Sequence, residues 1–122
     1  MNHAEAEAIA EQWVTNWNQR DLEAILEKFS EGVVFSSPKA VGLVGTGHLA
    51  GKGQLRAYWT AALDRIPELH FELDHVGFDE LRQELFIVYK ASLGGQTTRA
   101  CERLRFGDGG VVEGEGLYGA PV

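Results

Sequence analysis

The sequence predicts an α+β fold in which three N-terminal helices pack on a curved antiparallel sheet. Apolar residues follow helical spacing through most of the first half of the chain, and strand-like alternation replaces it after Pro67. Short glycine-containing or polar turns separate the alternating segments. Strands joined by such turns pair in antiparallel fashion, and helices set apart from such a sheet define the α+β class.

Length and composition predict one domain over residues 1–122. A second core would leave each half of a 122-residue chain too small to bury much apolar surface. The hydrophobic share is 44%, with three Trp, three Tyr and six Phe, which is enough to fill a core. The formal charge of −7 disfavours nucleic acid and anionic membranes as partners.

The single cysteine, Cys101, excludes an internal disulfide, and a reducing compartment suits such a chain. The first residues lack the basic-then-apolar order of a signal peptide, and no apolar run approaches the roughly 20 residues that span a bilayer. We therefore expect a cytoplasmic protein.

Two helices are predicted before the first strand. The apolar stripe of the first comprises Ile9, Ala10, Trp13, Val14 and Trp17. Asp21 can cap a second helix, which is expected to end at Gly32. The apolar residues of that second helix are Leu22, Ile25, Leu26 and Phe29.

A short strand over 33–35 and a third helix should follow. Residues 39–53 are rich in glycine and predict a long flexible loop at a functional rim. The third helix begins near residues 52–54 and stops at Pro67, with one face formed by Leu55, Tyr58, Trp59, Ala62 and Ile66. The four later strands are predicted at about 69–78, 84–93, 96–106 and 110–118.

Several stretches of the sequence resemble the SnoaL-like family, in the superfamily of nuclear transport factor 2 and ketosteroid isomerase. They are Trp13–Ile25 (WVTNWNQRDLEAI), Phe29–Phe35 followed by Ser37-Pro38, Gln54–Trp59 (QLRAYW) and the closing strands. The resemblance covers nearly the whole chain. It implies a cystatin-like, cone-shaped α+β barrel with an apolar pocket, often in a homodimer, and its members include isomerases, cyclases, epoxide hydrolases, dehydratases and non-catalytic binding domains.

Glu102 is the first candidate for catalysis. Alternation in 100–106 places Glu102, Leu104 and Phe106 on one, apolar face of a strand. Desolvation there raises a carboxyl pKa, which yields an acid or hydrogen-bond donor near neutral pH. The alternative is an exposed glutamate paired with Arg99 or Arg103.

The likeness of Glu102 to the protonated acid of ketosteroid isomerase, a known example of such a shift, is partial. Ser37 stands at the position similar to that of the enzyme's proton-shuttling aspartate, and Trp13 stands at the position similar to that of its hydrogen-bonding tyrosine. Serine is a poor base and indole only donates, so that mechanism is not expected to transfer unchanged. The epoxide hydrolases need an arginine to orient a water molecule, and the residue two before Glu102 is Ala100 here. Arg99 could take that role only if it lay across a bulge.

Four aromatic residues are predicted to line the pocket: Trp13, Trp59, Tyr89 and Tyr118. Each could equally be plain core, and Trp17 is expected to be core. Tyr58 could face a neighbouring helix or solvent. Glu113 and Glu115 are expected to point outward.

Two other patterns in the sequence resemble ligand sites. His70, Glu72 and Asp74 share a strand face, but residues two apart lie about 6.6 Å apart, too far for a compact metal site. The glycines around Thr46 and Lys52 fit nucleotide-loop patterns only loosely, because no βαβ unit follows. We expect neither a metal nor an organic cofactor.

The leading hypothesis is a small-molecule enzyme that isomerises or cyclises an apolar carbonyl compound by proton transfer. Glu102 would be catalytic, with Trp13, Ser37, Trp59, Tyr89 and Tyr118 holding the ligand. The alternatives are a non-catalytic domain for a small hydrophobic ligand and a dimeric interaction module. The module would use the outer sheet face of Phe86, Val88, Lys90 and Ser92.

Overall fold

The computed structural model describes residues 1–122, and it confirms the predicted α+β class. The helices are α1 (His3–Asn18), α2 (Leu22–Glu27), α3 (Val41–Val44) and α4 (Lys52–Arg65). The strands are β1 (Phe29–Ser36), β2 (His48–Ala50), β3 (Leu69–Asp79), β4 (Glu84–Leu93), β5 (Gln96–Gly107) and β6 (Gly110–Pro121). They form one sheet in the order β2-β1-β6-β5-β4-β3.

Strands β3 to β6 form the antiparallel meander that the alternation predicts. The pairing of β1 with β6 is parallel, which the sequence did not indicate. Tight turns fix only the direction of strands that follow each other directly, and β1 and β6 are separated by most of the chain. The sheet is therefore antiparallel except at this one junction.

The end predicted for the second helix is wrong. Asp21 does cap α2, accepting a 3.1 Å hydrogen bond from the Ala24 amide, but the helix ends at Glu27. Phe29 and Gly32 instead belong to β1, where Phe29 lies opposite Val111 of β6. Phe29 is 2% exposed in the strand, and a buried apolar residue fits a helix equally well, so its hydrophobicity could not distinguish the two.

The segment after β1 is more ordered than the loop that its glycines predict. A 3₁₀ turn (Pro38–Ala40) leads into α3, and β2 then pairs antiparallel with β1. Leu49 of β2 is 2% exposed and lies opposite Phe35. Burial of this side chain and the backbone pairing with β1 together attach the segment to the sheet.

Two polar side chains hold the helices over the concave face of the sheet. The Asn18 amide donates to the Phe71 carbonyl (2.9 Å) and its oxygen accepts from the Phe71 amide (2.7 Å), so it occupies the free edge of β3 as a further strand would. Arg20 donates to the carbonyls of Leu63 and Ile66 at the end of α4. These contacts set the distance between α1, α4 and the sheet.

The outer face of the sheet carries an ion-pair cluster around Arg103. Its guanidinium lies 2.7 Å from Glu84, 3.0 Å from Glu113 and 3.3 Å from Glu115. Since Arg103 and Glu102 are adjacent on β5, they project to opposite faces. None of the helices is both long and apolar enough to cross a membrane.

Candidate functional site

A cavity of about 60 Å³ lies between the helices and the concave face of the sheet. On this measure one water molecule needs roughly 10–15 Å³, so the space holds a few waters or part of a small organic molecule. Thirteen of the fifteen lining residues are hydrophobic, and the other two are Lys39 and Glu102. The cavity lining is thus apolar except for one acidic residue and one basic residue.

Glu102 is positioned by the middle of the meander, between Ile87 of β4 and Gly116 of β6. The residue is 4% exposed and lines the cavity. Desolvation by burial raises the pKa of Glu102 to about 8. No protein group donates a hydrogen bond to its carboxyl group, and no cation pairs with it. The acid is therefore largely protonated at neutral pH and available to a ligand.

Three hydroxyl groups lie beside this carboxyl group. Ser37, at the end of β1, and Tyr58, on α4, form a hydrogen bond of 2.9 Å between their hydroxyl oxygens. A Cβ placed on Gly116 would lie 3.3 Å from the Tyr118 hydroxyl, and 3.5 Å from both Glu102 Oε1 and Ser37 Oγ. The absence of a side chain at Gly116 leaves room for this polar cluster, defined as Ser37, Tyr58, Glu102 and Tyr118.

The tyrosines at the cavity are neutral donors. Burial is the largest cause that raises the pKa of Tyr58, Tyr89 and Tyr118, and the nearby Glu102 carboxylate raises each further. They therefore stay protonated wherever Glu102 titrates. A phenol that keeps its proton can donate a hydrogen bond to a carbonyl or enolate oxygen.

The structure brings most of the residues proposed from the sequence to one cavity. Glu102, Trp13, Trp59, Tyr89 and Tyr118 all line it, as does Trp17. Ser37 differs from the expectation that it would hold the ligand: it is 2% exposed, does not line the cavity and lies behind Tyr58. Its position suits the orientation of the Tyr58 hydroxyl.

Trp13 contributes its ring and not a polar contact. Its indole nitrogen, like that of Trp17, is buried and has no hydrogen-bond partner. The ring stacks on Phe71 with centroids 5.5 Å apart and meets Tyr89 edge-on at 5.0 Å. Both rings pack as walls of the cavity, and both N–H groups remain without a partner.

Two site residues were missed from the sequence. Tyr58 belongs to the same apolar face of α4 as Trp59. This pattern was enough to predict that Tyr58 points toward the core, but not that it lies next to Ser37. Lys39 had no signal, because its place at the cavity depends on how the 3₁₀ turn folds back over the helices.

Other patterns do not gather at the cavity. Asp74 pairs with Arg99 and with His75, so Arg99 is engaged at the surface and does not supply the arginine of an epoxide hydrolase site. Glu113 and Glu115 point outward as expected, toward Arg103. No group of three or more potential metal ligands is present.

Comparison with known proteins agrees with this architecture. Helices packed on a curved sheet around an apolar cavity define a class of small α+β domains. The sequence model of one family in this class, the SnoaL-like domain, matches residues 10–114. A SnoaL-like protein of unknown function from Burkholderia thailandensis is 35% identical, with a TM-score of 0.85 over 98% of this chain and 99% of that one. The chain belongs to the SnoaL-like family.

More distant structures share the fold. A cystatin-like protein of unknown function from Methylobium petroleophilum is 20% identical, with a TM-score of 0.78 over 100% of this chain and 80% of that one. TerC, co-crystallised with polyporic acid, is 13% identical, with a TM-score of 0.75 over 93% and 92% of the two chains. No curated protein matches the sequence significantly.

Proposed function

We propose that this protein is a small-molecule enzyme that moves a proton on an apolar carbonyl compound, in an isomerisation or a cyclisation. The observation that carries the proposal is the buried, unpaired carboxyl group of Glu102 in an otherwise apolar cavity. Burying a carboxyl group without a partner costs free energy, and function is a common reason to retain such a group.

Glu102 is proposed to act as the proton shuttle. It is the only carboxyl group that lines the cavity, and its pKa of about 8 leaves a fraction ionised near neutral pH. As a carboxylate it takes a proton from the carbon next to the carbonyl, and the C–H electron pair moves into an enolate. As an acid it returns the proton to another carbon, so atoms and charge balance without a cofactor.

The hydroxyl groups of Tyr58 and Tyr118 are proposed to stabilise the enolate oxygen. They belong to the polar cluster beside Glu102, and both keep their protons at the pH where Glu102 ionises. Donors already oriented in an apolar site favour the developing negative charge more than water does. The Ser37 hydroxyl holds that of Tyr58 in place.

The test is proton exchange at the α-carbon of small ketones. Cyclohex-3-en-1-one in deuterated buffer reports exchange by NMR and conversion to the conjugated ketone by ultraviolet absorbance. We expect the protein to catalyse both, and Glu102→Gln to lower the rate by about 10²–10⁴-fold. Glu84→Gln is the matched control, since Glu84 is another buried strand glutamate but lies on the outer face. An unchanged rate in Glu102→Gln removes Glu102 from the chemistry.

A second candidate is a binding domain without catalysis. It is favoured by the predominance of hydrophobic residues in the lining and by the presence of only one acid there. A protein that shares the fold, TerC, was co-crystallised with polyporic acid. Saturable binding of cyclohexenone without any exchange in deuterated buffer supports this alternative.

A homodimer is also proposed, formed through the outer face of the sheet. Val88, Cys101 and Leu117 there surround a shallow apolar surface, and Leu117 is 43% exposed. Sedimentation equilibrium of the parent and of Leu117→Glu tests this: the parent is expected to be a dimer and the variant a monomer.

A further inference from the structure

We propose that the ligand of the cavity is an anion, an apolar body with one negatively charged group that meets Lys39 at the entrance. This inference rests on the proposed function in so far as the same cavity is used, and it adds the chemical class of the ligand.

Lys39 is the only cationic residue that lines the cavity. It lies on the 3₁₀ turn after β1, is exposed, and no carboxylate lies within ion-pair distance of its ammonium group. By contrast, Lys52 pairs with Glu31 and Arg103 with three glutamates. In a chain with a net charge of −7, a lysine without an acidic partner at a cavity is available to an anion from outside.

The Lys39 ammonium is also held in place. Its Nζ lies 4.6 Å from the centroid of the Tyr118 ring, within the range of a cation–π contact. The hydroxyl of the same ring lies at the polar cluster, near Gly116. Tyr118 therefore connects the charge at the entrance with the acid inside, and a ligand lying along this ring meets both.

The two ends of the cavity favour different groups. At the inner end, a protonated carboxyl group and neutral tyrosines suit an uncharged carbonyl, and no cationic residue lines the cavity there to pair with a permanent anion. At the entrance, Lys39 in contact with solvent suits a carboxylate or an ionised enol. The chemistry points to a small acid with an arylated or unsaturated body, which lies inside the apolar cavity while the charged group stays at Lys39.

The test is calorimetric titration with two ligands of nearly equal shape, trans-cinnamate and trans-cinnamamide, at pH 6.5, where Glu102 is protonated. The parent is compared with Lys39→Met, which keeps the aliphatic stem, and with Lys90→Met, a control on the outer sheet face. We expect Lys39→Met to weaken cinnamate binding by about three- to tenfold and to leave the amide within about twofold. Salt should weaken only the cinnamate.

Equal weakening of both ligands would show that Lys39 only packs against Tyr118, and it would overturn the inference. So would cinnamate binding that does not depend on Lys39, which would place the anion elsewhere. In both cases the proposed function stands, because the cavity still binds. Failure of both ligands to bind the parent would count against the cavity itself and so against both proposals.

Discussion

Gly116 lies directly opposite Glu102 in the register of β6 and β5, and a Cβ at Gly116 would be in van der Waals contact with the carboxyl group. A Cβ there would lie 3.5 Å from Glu102 Oε1 and 3.3 Å from the Tyr118 hydroxyl. The glycine thus keeps the polar cluster open.

Gly116→Ala is expected to reduce proton exchange by about tenfold or more while the fold is retained. The backbone of Gly116 is not in the left-handed region, so alanine is accepted there, and its methyl group displaces the Tyr118 hydroxyl, which must align with the ligand. Exchange rates and urea unfolding of the same sample are the measurement. Gly114→Ala is the contrast: its Cβ would lie 2.7 Å from the Phe35 ring, and that variant should instead lose stability.

Tyr58→Phe should lower the turnover rate more than it changes ligand affinity. The variant removes a donor whose hydrogen bond is strongest when the carbonyl becomes an enolate. Ser37→Ala removes only the group that orients this donor, so we expect a smaller loss. Steady-state kinetics of both variants give the comparison, and equal losses would contradict the assignment of Ser37 to the orientation of Tyr58 alone.

Glu102 should make the free energy of unfolding fall as the pH rises from about 5 to 8. Its pKa is about 8 in the folded protein against an ordinary value of 4.5, so in this window the folded state holds a proton that the unfolded state has released. The loss is about 1.4 kcal/mol per pH unit at most, and water entering the cavity reduces it. Denaturant unfolding across this range checks the sign. Glu102→Gln should lack this slope and be the more stable protein at pH 8, and parallel curves would contradict the account.

Trp17→Ala should destabilise the domain by about 3–5 kcal/mol. Trp17 is 4% exposed, and its ring meets those of Trp59 and Phe71 at 5.3 and 5.6 Å. Urea unfolding gives the difference. Leu81→Ala, at a site that is 95% exposed, is the control and should change stability little.

The class of the fold and the inward direction of Glu102 follow from local patterns. Alternation along β5 fixes which residues share a face, and tight turns fix the antiparallel order of β3 to β6. The parallel junction of β1 with β6 depends on residues far apart in sequence, and no local pattern encodes it.

The polar cluster shows the same limit. Ser37 and Tyr58 come together because the end of β1 meets α4, and Lys39 reaches the cavity because the following turn folds over it. Each residue alone looks ordinary in the sequence. Their arrangement is a property of tertiary packing.

In the proposed chemistry, Glu102 is a buried acid that faces the cavity and carries a proton near neutral pH. The most direct measurement is the titration of its side-chain carboxyl ¹³C resonance by NMR, with Glu102→Gln used for assignment. The account predicts a midpoint at about pH 8. A midpoint near the ordinary value of 4.5 would show a solvated or paired carboxylate, and it would contradict the proposed chemistry.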